Sequence, residues 1–184
     1  MKRNITNTIY VLLSLVMFSG CSTYYYTASQ GHELPTVKEE IPVKIALTQK
    51  DWSIVVKLPD KDIKKNISDV VFDNPVFRED NSSDRILKVD IVHSNDHGGA
   101  EMLNALLTGA SLYLIPGVAD SDVSIDISIG DFTTNYKGEL IVAQGMGASS
   151  MIDKEKYKED QPLNLMKNLI KNAIDKFTTA YMKK

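Results

Sequence analysis

Cysteine is almost missing from this sequence: a single one, Cys21, stands among 184 residues. That excludes a disulfide within the chain. No block of Lys and Arg occurs either, and the formal net charge is −3. Nucleic acid is excluded as a partner on that ground, because phosphate binding draws on clustered cations. No apolar run reaches the roughly 20 residues of a spanning helix. A Gly-x-Ser-x-Gly elbow is absent, and the glycine-containing stretch Gly145–Ser150 lacks the lysine of a phosphate loop. No catalytic residue, metal or cofactor is expected, and the chain reads as a non-enzyme.

What is present is ordinary globular material, 43% hydrophobic and 24% charged, enough for one sizeable core. Lys2 and Arg3 open the chain, and Ile9–Phe18 is an apolar run of about ten residues, the length of a signal-peptide core. The run ends in Phe18-Ser19-Gly20-Cys21, a bulky apolar residue, two small ones and a cysteine. This resembles the lipobox of bacterial lipoproteins. The resemblance covers only the first 21 residues. It implies a signal peptide over 1–20, cleavage before Cys21, and a membrane anchor built from a diacylglyceryl group on its sulfur, often with acylation of the new amino group. It also accounts for a lone thiol in an exported protein. Without Lys2 and Arg3 the mature chain carries a formal charge of −5. In Gram-negative lipoproteins an aspartate after the cysteine commonly marks the inner membrane. Ser22 therefore points, by the same resemblance, to a periplasm-facing protein of the outer membrane.

Residues 21–40 read as a lipid-anchored tether, with Gly31, Pro35 and no sustained period. Its Tyr24, Tyr25 and Tyr26 either settle at the headgroup level or pack back on the domain. Residues 41–184 read as one domain. Val43, Ile45 and Leu47 alternate with polar or small residues, as do Trp52, Ile54, Val56 and Leu58, which predicts a hairpin. Asp60 opens a helix whose stripe is Ile63, Ile67, Val70 and Val71, and Pro75 closes it before a polar loop at 78–84. Strands are expected at Leu87–Ile91, Val123–Ile129 and Tyr136–Ala143, the last two as a hairpin. Pro162 starts a final helix with Met166, Leu169, Ile170, Ala173, Ile174, Phe177 and Tyr181 on one face. The order ββα-β-(α)-ββα predicts an α+β domain, a two-layer sandwich. Its sheet has about five strands, antiparallel or mixed, with two or three helices on one face.

Three places invite chemistry. His93, Asp96 and His97 hold metal-ligand types but follow a strand and precede Gly98-Gly99 without a third or fourth partner in view, which favours polar turn residues. Asp90 and Asp126 fall on wet strand positions, where carboxylates ordinarily solubilise. The connector Met102–Val118 carries no charge and includes Leu112, Tyr113, Leu114 and Ile115. It is either a buried turn or an exposed apolar lip touching the bilayer or a partner. The expected role is a lipid-anchored envelope protein that binds another envelope protein as an accessory component. Two alternatives stand beside it: a small or lipidic ligand held between sheet and helices, and a hydrolase with a dispersed site.

Overall fold

The computed structural model describes residues 22–28, 34, 36, 39–50, 60–94, 108, 114 and 116–184. Seven strands form one mixed sheet: β1 (Ser22–Thr27), β2 (Ile41–Lys50), β3 (Phe77–Glu79), β4 (Ile86–Ser94), β5 (Gly117–Ile129), β6 (Phe132–Gln144) and β7 (Tyr157–Asp160). Two α-helices are described, α1 (Asp60–Phe72) and α2 (Pro162–Tyr181), with a 3-10 turn at Ala148–Met151. The spatial order is β3-β2-β4-β5-β6-β1-β7. The expected sandwich of about five strands with helices on one face is therefore corrected, in strand number and in what covers the sheet.

The strongest signal, the alternation of Val123, Ile125, Ile127 and Ile129 with Ser124, Asp126 and Ser128, is the middle of a hairpin longer than its pattern. β5 and β6 pair over their full length from Gly117↔Gln144 to Ile129↔Phe132. The turn is only Gly130-Asp131, so β6 starts at Phe132 rather than Tyr136. Gly130 at φ 57 supplies the left-handed backbone that such a two-residue turn needs. β4 lies antiparallel to β5, and β2 lies parallel to β4 on one side and to β3 on the other. The expected hairpin partner of β2, Trp52–Leu58, lies outside the described residues.

Three strands carried no recognisable alternation. β1 reads Ser-Thr-Tyr-Tyr-Tyr-Thr, yet it is paired on both sides, with β6 and β7, in the stretch expected to be a tether. A strand covered on both faces shows continuous rather than alternating apolarity, which is why the tyrosines did not read as one. β3 has three residues and interrupts the expected polar loop; β7 is Tyr-Lys-Glu-Asp, a charged outer strand of the kind that blunts a sheet edge.

The main core joins one sheet face to the helices. Leu87, Val89, Ile91, Val123, Ile125, Ile127 and Leu140 meet Ile67, Val70 and Val71 of α1 and Leu165, Leu169, Ile170, Ala173, Ile174 and Phe177 of α2. A Cβ placed on Gly138 would lie 2.6 Å from Leu169 Cδ2, so glycine there lets α2 approach β6 closely. Pro162 occupies the first turn of α2, where its missing N–H costs nothing. Just ahead of it, Asp160 accepts from the Gln161 backbone at 2.7 Å and from the side chains of Asn164 and Asn168. The buried Asn74 ties the helices together: its amide donates to Asp175 at 3.2 Å while its oxygen accepts from the Val76 backbone at 3.1 Å.

The other sheet face has a cover of its own. Tyr25, Ile141, Ala143, Ala148, Ile152 and Tyr157 form a second, smaller core with Val118 packed against it. Gly145 and Gly147, at φ 94 and 75, turn the chain after β6 so that the 3-10 segment folds back over β1 and β6. Tyr25 belongs to this core, while Tyr24 and Tyr26 pack against the main one. Of the two roles expected for the tyrosines, packing on the domain is the one observed.

Candidate functional site

Period-two alternation fixes which side chains share the wet face. Because Val89, Ile127 and Gly138 face the helices, the intervening residues project the other way: Lys88 and Asp90 on β4, Ser124 and Asp126 on β5, Asn135, Lys137 and Glu139 on β6. Asp90 stands directly opposite Asp126 in the β4–β5 register. Like charges in that position repel. Asn135 answers part of this by donating its amide to Asp126 Oδ1 at 2.7 Å and to Ser124 Oγ at 2.8 Å.

Further along the same face lies a cleft of about 430 Å3, lined by Thr27, Val92, Asp122, Ser124, Lys137 and Glu139 among others. Glu139 organises its rim. Thr27 Oγ1 accepts from the Glu139 backbone N–H at 2.6 Å and donates to its carbonyl at 3.2 Å, fastening the end of β1 to β6. The Glu139 carboxylate holds the Lys156 ammonium at 2.7 Å and accepts the Tyr157 hydroxyl on the same oxygen. The Lys156 ammonium also lies 4.9 Å from the centre of the Tyr157 ring. Asp153 sets up the approach by accepting from the Tyr157 backbone at 2.9 Å in the turn before β7.

The electrostatics follow from this clasp. Hydrogen bonds from Lys156 and then Tyr157 hold the Glu139 carboxyl below the ordinary glutamate range. The hydrogen bond to Glu139 raises Lys156 above its ordinary value, so both partners favour the charged pair. Burial, then the bond to Glu139, pushes the Tyr157 hydroxyl up. A general acid or base works best with a pKa near the working pH. Here the carboxyl and the ammonium move away from it, which suits a permanent ion pair joining β6 to the 145–156 segment.

This pair gives the fold an acid-side dependence. A carboxyl whose folded pKa lies below its unfolded value stabilises the fold above the unfolded pKa, and that stability is lost as pH falls through the folded one. For Glu139 the contribution is present above about 4.5, the ordinary value, and fades below it. The exposed Asp80, lowered by bonds from Ser82, follows the same sign. Glu139→Gln is therefore expected to flatten, without abolishing, the fall in urea midpoint between pH 5 and 3. An unchanged slope would mean the clasp is not formed in solution.

The residues expected from sequence are dispersed. Cys21 lies outside the described residues, as do Leu112, Tyr113 and Ile115; Leu114 is described and is 67% exposed. His93 is in β4 opposite Val123, while its side chain and His97 lie outside the described set. Among the described residues no three or more His, Cys, Asp or Glu side chains converge as a metal set, and no helix is long and apolar enough to cross a membrane. The Thr27–Glu139–Lys156–Tyr157 group was missed, because its members come together only through the β6-β1-β7 register. No protein-family model matches the chain, and no curated protein matches it in sequence.

Proposed function

We propose that this chain is a lipid-anchored envelope protein, held to the membrane through Cys21, whose module binds another envelope protein as an accessory component and catalyses no reaction. The observation that carries the proposal is that Ser22, the residue after the lipobox cysteine, is already paired in the sheet, with Gln144 of β6. An acyl anchor at Cys21 would hold the sheet itself beside the bilayer. Confinement of that kind raises the effective concentration for neighbours, so a modest polar surface suffices for binding.

The wet face of β4, β5 and β6 supplies such a surface, with alternating charges, side-chain amides and hydroxyls around an open cleft. Recognition there is favoured over a ligand held between sheet and helices, because Leu87, Ile125, Ile127, Leu165, Leu169, Ile170 and Phe177 already fill that space at 0% exposure. Two measurements on one lipidated sample test the proposal. Labelled fatty acid is expected on the wild-type chain and not on Cys21→Ser. Mild crosslinking in the native membrane is expected to capture an envelope protein that Lys137→Glu releases without changing the membrane fraction of the module. Capture that is indifferent to Lys137→Glu, or no more than an unrelated lipoprotein gives, would sink the binding role.

A further inference from the structure

The three most exposed large apolar side chains among the described residues are Met146, Leu114 and Met151, at 72%, 67% and 62%. Single exposed apolar residues need no explanation. These three share one end of the sheet. Gln144 pairs with both Ser22 and Gly117, so the start of β1, the start of β5 and the end of β6 lie level. Met146 follows Gln144 by two residues, Leu114 precedes Gly117 by three, and Met151 closes the 3-10 turn whose Ala148 packs with Tyr25 of β1.

Charge is sparse at the same end, where the nearest charged residues of the described strands are Asp120, opposite Ile141, and Asp160, opposite Tyr24. Among the described residues, Asp, Glu, Lys and Arg are absent from Ser22–Ala28, from Pro116–Ala119 and from Leu140–Ile152, which include the β1, β5 and β6 residues at that end. The opposite end, around the Gly130-Asp131 turn, carries Arg85, Asp131, Lys183 and Lys184, with Lys184 lying over the ring of Phe132. A charge pressed against a bilayer loses solvation at large cost, so this partition fits one end in lipid and the other in water.

Position selects the bilayer over a protein as the occupant. Consecutive Cα atoms are about 3.8 Å apart, and the headgroup layer is about 5–8 Å thick on each side of the hydrocarbon. With glycerol-linked chains on Cys21, whatever stands level with Ser22 is in or against that layer. We infer that the charge-poor end of the module, with Met146, Met151 and Leu114 at its surface, is a lipid-contacting face that seats in the headgroup layer and fixes the orientation of the sheet on the membrane. The inference rests on the lipidation proposed above. It leaves the polar face of β4, β5 and β6 turned sideways, open to a neighbour in the same membrane.

The test uses full-length lipidated protein in vesicles of phosphatidylethanolamine and phosphatidylglycerol, with a fluorophore on a single added thiol. Met146→Cys and Met151→Cys report the proposed face, and Asp131→Cys reports the far turn. All three positions are exposed. Chain-brominated lipids are expected to quench the labels at 146 and 151 several-fold more than the label at 131. Wild-type protein that floats with the vesicles and takes no thiol reagent, combined with equal quenching at all three sites, overturns the lipid-facing inference alone. Wild-type protein that takes the reagent at Cys21 and fails to float overturns the anchor, and this inference with it.

Discussion

Phe177→Ala is expected to cost about 4 kcal/mol, within the roughly 3–5 kcal/mol range for deleting a buried aromatic ring. Phe177 is 0% exposed and sits where α2 crosses the sheet. Its ring centroid is 5.5 Å from Phe132 edge-on, 5.5 Å from Tyr181 stacked and 6.2 Å from Phe77 tilted. Three elements, β3, β6 and α2, thus meet in one cluster of four rings. Alanine would leave a cavity bordered by three rings, each too constrained by its own strand or helix to close it. Domains of this size are stable by only about 5–15 kcal/mol, so the variant should unfold at a much lower urea concentration with the slope unchanged. Phe177→Leu, which keeps much of the volume, should cost less than half as much. An alanine variant within 1 kcal/mol of wild type would show that this cluster is not packed as described.

The sheet's wet face and the final helix were legible because each carries its own period. Leu169, Ile170, Ala173, Ile174 and Phe177 recur at helical spacing and are all buried, and Asp90 and Asp126 fall on the wet face that their strand parity predicts. Partner choice was not legible in the same way. A strand's alternation says which face is wet but not which strand lies beside it or in which direction, so the parallel β2–β4 pairing left no local mark. β1 was missed for a related reason. Tyr24, Tyr25 and Tyr26 divide between two cores, and a run that is apolar on both faces resembles an aromatic linker until the second cover, Ala148–Ile152, is known.

The Glu139 clasp lies further beyond local reasoning. Thr27 and Glu139 are 112 positions apart, and each looks like an ordinary polar strand residue. What brings them together is the sheet register, which depends in turn on both cores. The glycines Gly145 and Gly147 read as loop composition, although their left-handed backbone is what folds Ala148 and Ile152 onto the sheet.

Tyr25→Ala should be nearly as damaging as the loss of Phe177, at about 3 kcal/mol, the lower end of the range because the second core is small. Its consequence would be confined to one edge. Tyr25 is 1% exposed, and burial, reinforced by the Glu159 carboxylate, raises its hydroxyl pKa while a Ser149 side-chain contact opposes the shift. β7 pairs with β1 and lies at the outer edge, so releasing β1 removes the neighbour that holds β7 in the sheet. Amides of Ser22–Thr27 and Tyr157–Asp160 are expected to lose hydrogen-exchange protection together, while those of β4 and β5 keep theirs, the behaviour of a local opening unit. Tyr25→Phe keeps the ring and should preserve both strands. Freed from the sheet, the six residues of β1 would extend over about 20 Å; under the proposed lipidation of Cys21, that would turn a rigid attachment into a tether and let the apolar end drift from the membrane. Uniform deprotection of the whole sheet in Tyr25→Ala would mean that the second core is not a separate unit and that β1 is bound into global folding instead.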